Sequence, residues 1–403
     1  MQFVKKYMFI YCVVIVYTFI LCVDVLLRFS SSPWPYFRAW EYMGRSQAFG
    51  SQFIANGRFE KEGVRGELAR KAGNERIAML RKELISTDKY GFRNSNVLYA
   101  HAQIPIFVFG DSFMIGAGVE DSQTFPSQLQ DVLNLPVCNA ATGNIEDLFS
   151  GYCPIRTHKP RIVLFGLLEK TTYSLSDRTK KKLSSDTSNN ALMHIRILGK
   201  RIDHAIDNIK GWFSRPALRR WAMQCKRCYL ESFFGALWQN VSTLPVLEAT
   251  LQNGDAMLFF KPSIKKLSAD ELKQRRQGVK DYFTALNDAC SRNNMFLVVV
   301  LIPNKYTIYK PFLKPEDQLD ITKNYLELVE SDLLEEMVHV VNLTDMFREG
   351  ACGYYEMGKY IYWQDGTHWN PDGIKIAAQE VGCYINDRFY PQGPKAGLMY
   401  NWK

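Results

Sequence analysis

From Ile104 onward the chain alternates short, unbroken apolar runs with longer segments of helical spacing. The apolar runs are Ile104–Phe109, Leu135–Cys138, Arg161–Leu168, Met295–Ile302 and Val338–Leu343. Met295-Phe-Leu-Val-Val-Val-Leu-Ile302, stopped by Pro303, has no polar position and predicts a strand buried on both faces. Such strands separated by helices predict a three-layer α/β sandwich with a mainly parallel sheet. Residues 55 to 85 are charged, with Leu68, Ala72, Ile77 and Leu80 at helical spacing, and predict an amphipathic helical lead-in. The run from Thr179 to Asn190 reads as a polar loop. Residues 192 to 280 read as a mostly helical, basic insertion whose Trp212, Trp221 and Trp238 are core or interface anchors before they are sugar-stacking platforms.

The N-terminal segment has a different pattern. From Tyr7 to Leu27 only Thr18 and Asp24 interrupt an apolar stretch preceded by Lys5 and Lys6. That length predicts one bilayer-crossing helix. No Ala-x-Ala follows it, so the prediction is an uncleaved anchor and not a signal peptide. The expected organisation is a cytoplasmic tip and transmembrane anchor at 1–32 and a helical lead-in at 33–100. A main domain at 101–390 follows, with the insertion at about 175–280, and then a tail at 391–403.

Charge and cysteines narrow the function. The 403 residues carry a net charge of +9, which suits an anionic envelope surface or an acidic glycan. Nucleic acid is disfavoured, because no aromatic-basic binding motif accompanies the charge. Nine cysteines are present, two of them (Cys12 and Cys22) in the apolar N-terminal stretch. Cys225 and Cys228 form the one close pair, and without a second pair or suitably spaced histidines they predict a local disulfide or two buried thiols, not a zinc site. His101, His158, His194, His204 and His339 stand in no motif. No metal, nucleotide or other cofactor is implied.

Two distant stretches carry the candidate chemistry. Phe107-Val-Phe-Gly-Asp-Ser-Phe113 runs an apolar strand into a tight turn bearing a hydroxyl. Asp365-Gly-Thr-His-Trp-Asn-Pro-Asp-Gly373 places a carboxylate three residues before an imidazole and then turns into a helix-like run from Ile374. A serine, a histidine and a carboxylate are what a weak hydroxyl needs to become a nucleophile. A serine at the carboxyl end of a parallel strand also lies where open α/β sheets bind ligands.

Together the two stretches resemble the SGNH (GDSL-like) hydrolase superfamily, whose nucleophile opens the domain and whose Asp-x-x-His closes it. Gly116-Ala-Gly-Val119, Thr124-Phe-Pro-Ser-Gln-Leu129 and the Tyr90-Gly-Phe-Arg93 lead-in of membrane-anchored bacterial members agree. The resemblance implies an SGNH, flavodoxin-like fold. It implies Ser112 as nucleophile, His368 as general base and Asp365 as the group orienting the imidazole, with Asp111 supporting the turn. It also implies oxyanion donors at Gly143 and Asn144 in Cys138-Asn-Ala-Ala-Thr-Gly-Asn144, one residue short of the common spacing.

The third family block departs from the pattern. Arg161–Lys170 has Gly166, but Leu168 and Glu169 stand where Asn and Asp are expected. Alginate-type polysaccharide O-acetyltransferases also end this strand on a Glu-plus-basic pair and supply a tyrosine to the oxyanion, which nominates Tyr173. Their Asp-x-His precedes the serine, whereas here it follows. The expected protein is a bacterial inner-membrane enzyme facing the periplasm or cell exterior. It would move O-acetyl groups on an envelope glycan with an acyl donor from a membrane partner. A carbohydrate esterase and a non-catalytic glycan-binding scaffold are the competing classes.

Overall fold

The computed structural model describes residues 11, 12, 14–23, 26, 53–72, 74, 76–141, 143–149, 154–158, 160–174 and 245–391, with backbone alone at 147, 154, 156, 173 and 174. In chain order the elements before residue 175 are β1 (Arg58–Val64), α1 (Glu67–Ala72), β2 (Arg81–Ser86), β3 (Ile106–Phe109), α2 (Ser112–Ile115), α3 (Phe125–Leu133), β4 (Val137–Asn139) and β5 (Ile162–Leu168). After it come β6 (Val246–Thr250), β7 (Ala256–Phe260), α4 (Ala269–Arg292), β8 (Phe296–Ile302) and α5 (Lys305–Tyr309). The chain closes with α6 (Tyr325–Glu335), β9 (His339–Asn342), α7 (Thr344–Glu356) and α8 (Pro371–Phe389).

All five apolar runs become the strands of one sheet, ordered β4-β3-β5-β8-β9, and every pairing in it is parallel. Alternation along each strand feeds two cores. Ile106, Val108, Leu164, Val298 and Val300 join Leu129, Ala377 and Val381 of α3 and α8. Phe107, Phe109, Val163, Leu297 and Val299 join Phe283, Leu286, Val329 and Leu333 of α4 and α6. This is the three-layer sandwich expected from strands without polar positions. The order places β3 and β5 at the point where the winding reverses, and there the carboxyl ends open a crevice.

A close fit at that crevice holds α2. Gly166 in β5 has no side chain, and a Cβ built there would lie 2.3 Å from Met114 Cε and 2.5 Å from Met114 Cγ. Met114 of α2 therefore lies directly on the neighbouring strand, fully buried.

Three expectations are corrected. Residues 58–86 are not a helical lead-in but an antiparallel β1–β2 hairpin with the short α1 between its strands. Burial along it alternates: Phe59, Glu83 and Ile85 face inward and their neighbours outward, and the charged residues that resembled a helix face occupy the open side. The described part of the insertion is not all helical, since β6 and β7 form a second antiparallel hairpin before α4. The rest of the insertion, with Trp212, Trp221, Trp238, Cys225 and Cys228, lies outside the described residues. Among the described residues, Cys138 and Cys290 are buried, and the Asn94 side-chain amide donates to Cys138 Sγ at 3.6 Å.

The third correction concerns the membrane anchor and the inner-membrane, outward-facing location built on it. Among the described residues no helix is long and apolar enough to cross a membrane. Near the N-terminus the described helical residues are 11, 12, 14–23 and 26.

The Gly166–Met114 contact gives a direct test. Gly166→Ala should cost about 1–3 kcal/mol through overpacking. In a double-mutant cycle Met114→Ala should recover most of that loss, which chemical denaturation of the four proteins would measure.

Candidate active site

β3 ends at Phe109, and Gly110 takes φ +147° to turn the chain. A Cβ at Gly110 would lie 2.8 Å from Met114 Cγ and 3.0 Å from the Gly166 carbonyl oxygen, so this turn requires glycine. Asp111 caps α2, its Oδ1 accepting the Phe113 N–H at 2.9 Å. The sharp turn leaves Ser112, the first residue of α2, on the wall of a cleft of about 410 Å³.

The second stretch arrives from the far end of the chain. An isolated bridge joins Tyr362 to Trp369, and the Trp363 N–H donates to the His368 carbonyl at 3.1 Å. The residues between form a tight loop that presents the imidazole. Phe113 cements it, with its ring centroid 4.9 Å from His368 and 5.3 Å from the buried Trp369. Ser112 Oγ and His368 Nε2 consequently lie 2.8 Å apart. At that distance the ring nitrogen can take the hydroxyl proton, provided Nδ1 carries the N–H.

The carboxylate facing Nδ1 is not that of Asp365. Glu67, the first residue of α1, places Oε1 3.4 Å from His368 Nδ1. The same carboxylate accepts the Thr367 N–H at 2.8 Å and the Thr367 hydroxyl. Burial alone would raise its pKa. The positive charge of the imidazolium and the hydrogen bonds from His368 and Thr367 outweigh burial and hold Glu67 well below the usual carboxylate range. The 3.4 Å contact is long for a hydrogen bond, as is common before substrate binds.

Asp365 has another task. Fully buried, it accepts the Gly66 N–H at 2.6 Å and the Met79 N–H at 2.9 Å on Oδ2, and Arg81 Nη1 at 2.8 Å on Oδ1. Its backbone carbonyl takes the Leu68 and Ala69 N–H groups, two orphan donors of the first turn of α1. Asp365 thus fastens the hairpin to the histidine loop, and in doing so sets Glu67 beside the imidazole.

The expected oxyanion donors fare differently. The Gly143 N–H is spent on the Ala140 carbonyl at 2.8 Å, closing the turn after β4, and it does not line the cleft. Asn144 is exposed and also outside it. The residue of that turn that does reach the cleft is Ala141. The side chain of Tyr173 lies outside the described residues.

Past β5, Leu168 joins the core. Glu169 turns away to accept the Asn304 N–H at 2.7 Å and the Thr307 hydroxyl at 2.8 Å, and burial raises its pKa. Lys170 is the residue of this block that enters the cleft, its Nζ 5.4 Å from the Phe260 ring centroid.

Sequence reasoning did not find Glu67, Arg81 or Lys170. The first two belong to a hairpin almost 300 residues from the loop they support, and no spacing signals such a contact. Lys170 was visible only as the basic half of the pair after β5.

Residues 254–402 match the family model described as "SGNH hydrolase-like domain, acetyltransferase AlgX". The chain resembles the SGNH superfamily, with a likeness to alginate-type acetyltransferases. The matched stretch holds Asp365 and His368, whereas Ser112 and Glu67 precede it. No curated protein matches the chain. A solved crystal structure aligns with 71% of this chain and 98% of its own at 12% identity and a TM-score of 0.34, too loose a likeness to carry weight.

Two expectations test the clamp. A Cβ at Gly66 would lie 2.0 Å from the Asp365 carbonyl oxygen and 2.5 Å from its Cγ, so Gly66→Ala should part α1 from the histidine loop. Calorimetry should show a lower melting temperature, and hydrogen exchange should rise over 66–81 before the central sheet opens. The depressed pKa of Glu67 means that the unfolded chain binds the extra proton. Its stabilisation is complete above the ordinary glutamate value of 4.5 and is lost as pH falls through the lower folded value. Glu67→Gln should flatten the stability profile below about pH 4.5 relative to the wild type.

Proposed function

We propose that this chain is a serine acyl-transfer enzyme acting on O-acyl groups, acetyl above all, of a polysaccharide. Ser112 is the nucleophile, His368 the general base and then acid, and Glu67 the carboxylate that supports the imidazolium. The observation that carries this reading is the 2.8 Å contact between Ser112 Oγ and His368 Nε2 in a cleft at the switch point of a parallel sheet. The acetyltransferase description of the matched family supports the acyl group, and the likeness to alginate-type acetyltransferases motivates a polysaccharide as the substrate.

The chemistry follows from the positions. Ser112 Oγ attacks the acyl carbonyl carbon while its proton passes to His368 Nε2. As the tetrahedral adduct collapses, the imidazolium returns that proton to the departing group, the donor's carrier in a transferase or the sugar oxygen in an esterase, and leaves acyl-Ser112. A second hydroxyl then attacks with the same base: a sugar hydroxyl in a transferase, water in an esterase. Transfer is the favoured branch, with the acyl donor presented by a partner protein. The Ser112 N–H and the Lys170 ammonium are the cleft groups available to the oxyanion where the family's Asn-Asp is missing.

Ser112→Ala should abolish 4-nitrophenyl acetate turnover and remove the acyl adduct that intact-mass spectrometry would find on the wild type. Glu67→Gln should lower the acylation rate about 10²–10⁴-fold, while Asp365→Asn should act mainly through stability. Acetyl arriving on an added oligosaccharide identifies a transferase, and free acetate alone an esterase. An active Ser112→Ala protein would sink the catalytic reading.

A further inference from the structure

Beyond the serine and histidine, one buried cation has no part in the chemistry above. Lys305 begins α5 and is 5% exposed, and its Nζ meets four backbone carbonyls. These are Leu258 and Trp363 at 2.7 Å, Gln364 at 3.0 Å and Gly366 at 3.1 Å. Three of the four belong to the loop that ends in His368, and the fourth to β7, whose Leu258 N–H itself donates to Gln364 O at 2.9 Å. The Phe259 ring closes one side, its centroid 5.1 Å from Nζ.

A cluster of carbonyl oxygens converging on one buried point repels itself unless a cation occupies the centre. A neutral amine would not serve, because its two N–H groups leave two of the oxygens unpaired and its lone pair faces them. Burial pushes the Lys305 ammonium down to about 7, while the nearby Asp365 and Glu67 carboxylates pull it up and Arg81 adds to the lowering.

We propose that the Lys305 ammonium is the built-in cation of a four-carbonyl cage and, as a positioning residue, fixes the Trp363–Gly366 loop from which His368 reaches Ser112. The cage is a latent site for a small monovalent cation, which could occupy it when the side chain is cut back. The positioning role rests on the reading of Ser112 and His368 as nucleophile and base. The occupancy of the cage does not.

The test uses the full chain with Lys305→Met and Lys305→Ala. Lys305→Met removes the charge at nearly constant length and should slow Ser112 acylation by 4-nitrophenyl acetate about 10²-fold, with KM little changed. In Lys305→Ala, n-propylammonium replaces the missing atoms. It should raise the melting temperature and restore the acylation rate at least about tenfold toward wild type. Tetramethylammonium, too large for the cage, should do neither, and neither cation should shift the wild type. If Lys305→Ala does not fold alone, folding in n-propylammonium but not in tetramethylammonium supports the cage, and failure in both overturns it.

Lys305→Met acylating at the wild-type rate would overturn the positioning role. A folded Lys305→Ala protein indifferent to n-propylammonium would overturn the cage. If wild type itself forms no acyl-Ser112, the nucleophile reading fails separately. The cation dependence of the melting temperature and the nitrogen-15 signals of the His368 ring then still decide whether Lys305 holds the loop.

Discussion

The carboxylate of Asp365 is the constraint on which the site depends. A fully buried carboxylate far from water is stable only if its oxygens are satisfied. Here two backbone N–H groups and one guanidinium satisfy them, all from the β1–β2 hairpin segment. Removing any one partner leaves a buried charge short of a donor, so hairpin and histidine loop are held together or not at all. Glu67 owes its position to this bond network, since it follows Gly66 directly and begins the helix whose first N–H groups Asp365 also caps.

The sheet contributes the other half of the geometry, through the absence of atoms. Gly166 gives Met114 a place on β5, and Gly110 lets the chain leave β3 at an angle no side chain would tolerate. Between them they lower α2 onto the sheet until Ser112 comes level with the imidazole. Phe113 packs against both His368 and Trp369, so the same four-residue helix that offers the hydroxyl also supports its base.

Much of this was legible in the chain. The central strands β3, β5 and β8 announce themselves because burial on both faces leaves no polar position, and Ser112 and His368 lie in motifs whose flanks read as strand, turn and helix. The lead-in was misread for a physical reason. Leu68 and Ala72 do belong to a helix, but Ile77 and Leu80 continue its spacing by accident in an extended segment, and Glu83 is a carboxylate on the buried face of a strand. The motif Asp-x-x-His says that an acid and an imidazole share a loop, and it cannot say which acid faces the ring. Gly143 was chosen for its type, whereas the closure of its turn had already consumed its N–H.

The described site is stitched from three widely separated stretches: the hairpin before residue 86, the turn at Gly110 to Ser112, and the loop at Trp363 to His368. Contacts this distant in sequence are made late, after the loop entropy between them has been overcome. During synthesis the serine emerges with more than 250 residues still to follow before its partner exists. A newborn chain therefore carries an unassisted hydroxyl, and the contact that could awaken it is completed only when the last helix closes the molecule. Order of synthesis alone thus keeps the two halves of the Ser112–His368 contact apart until residue 368 has been made.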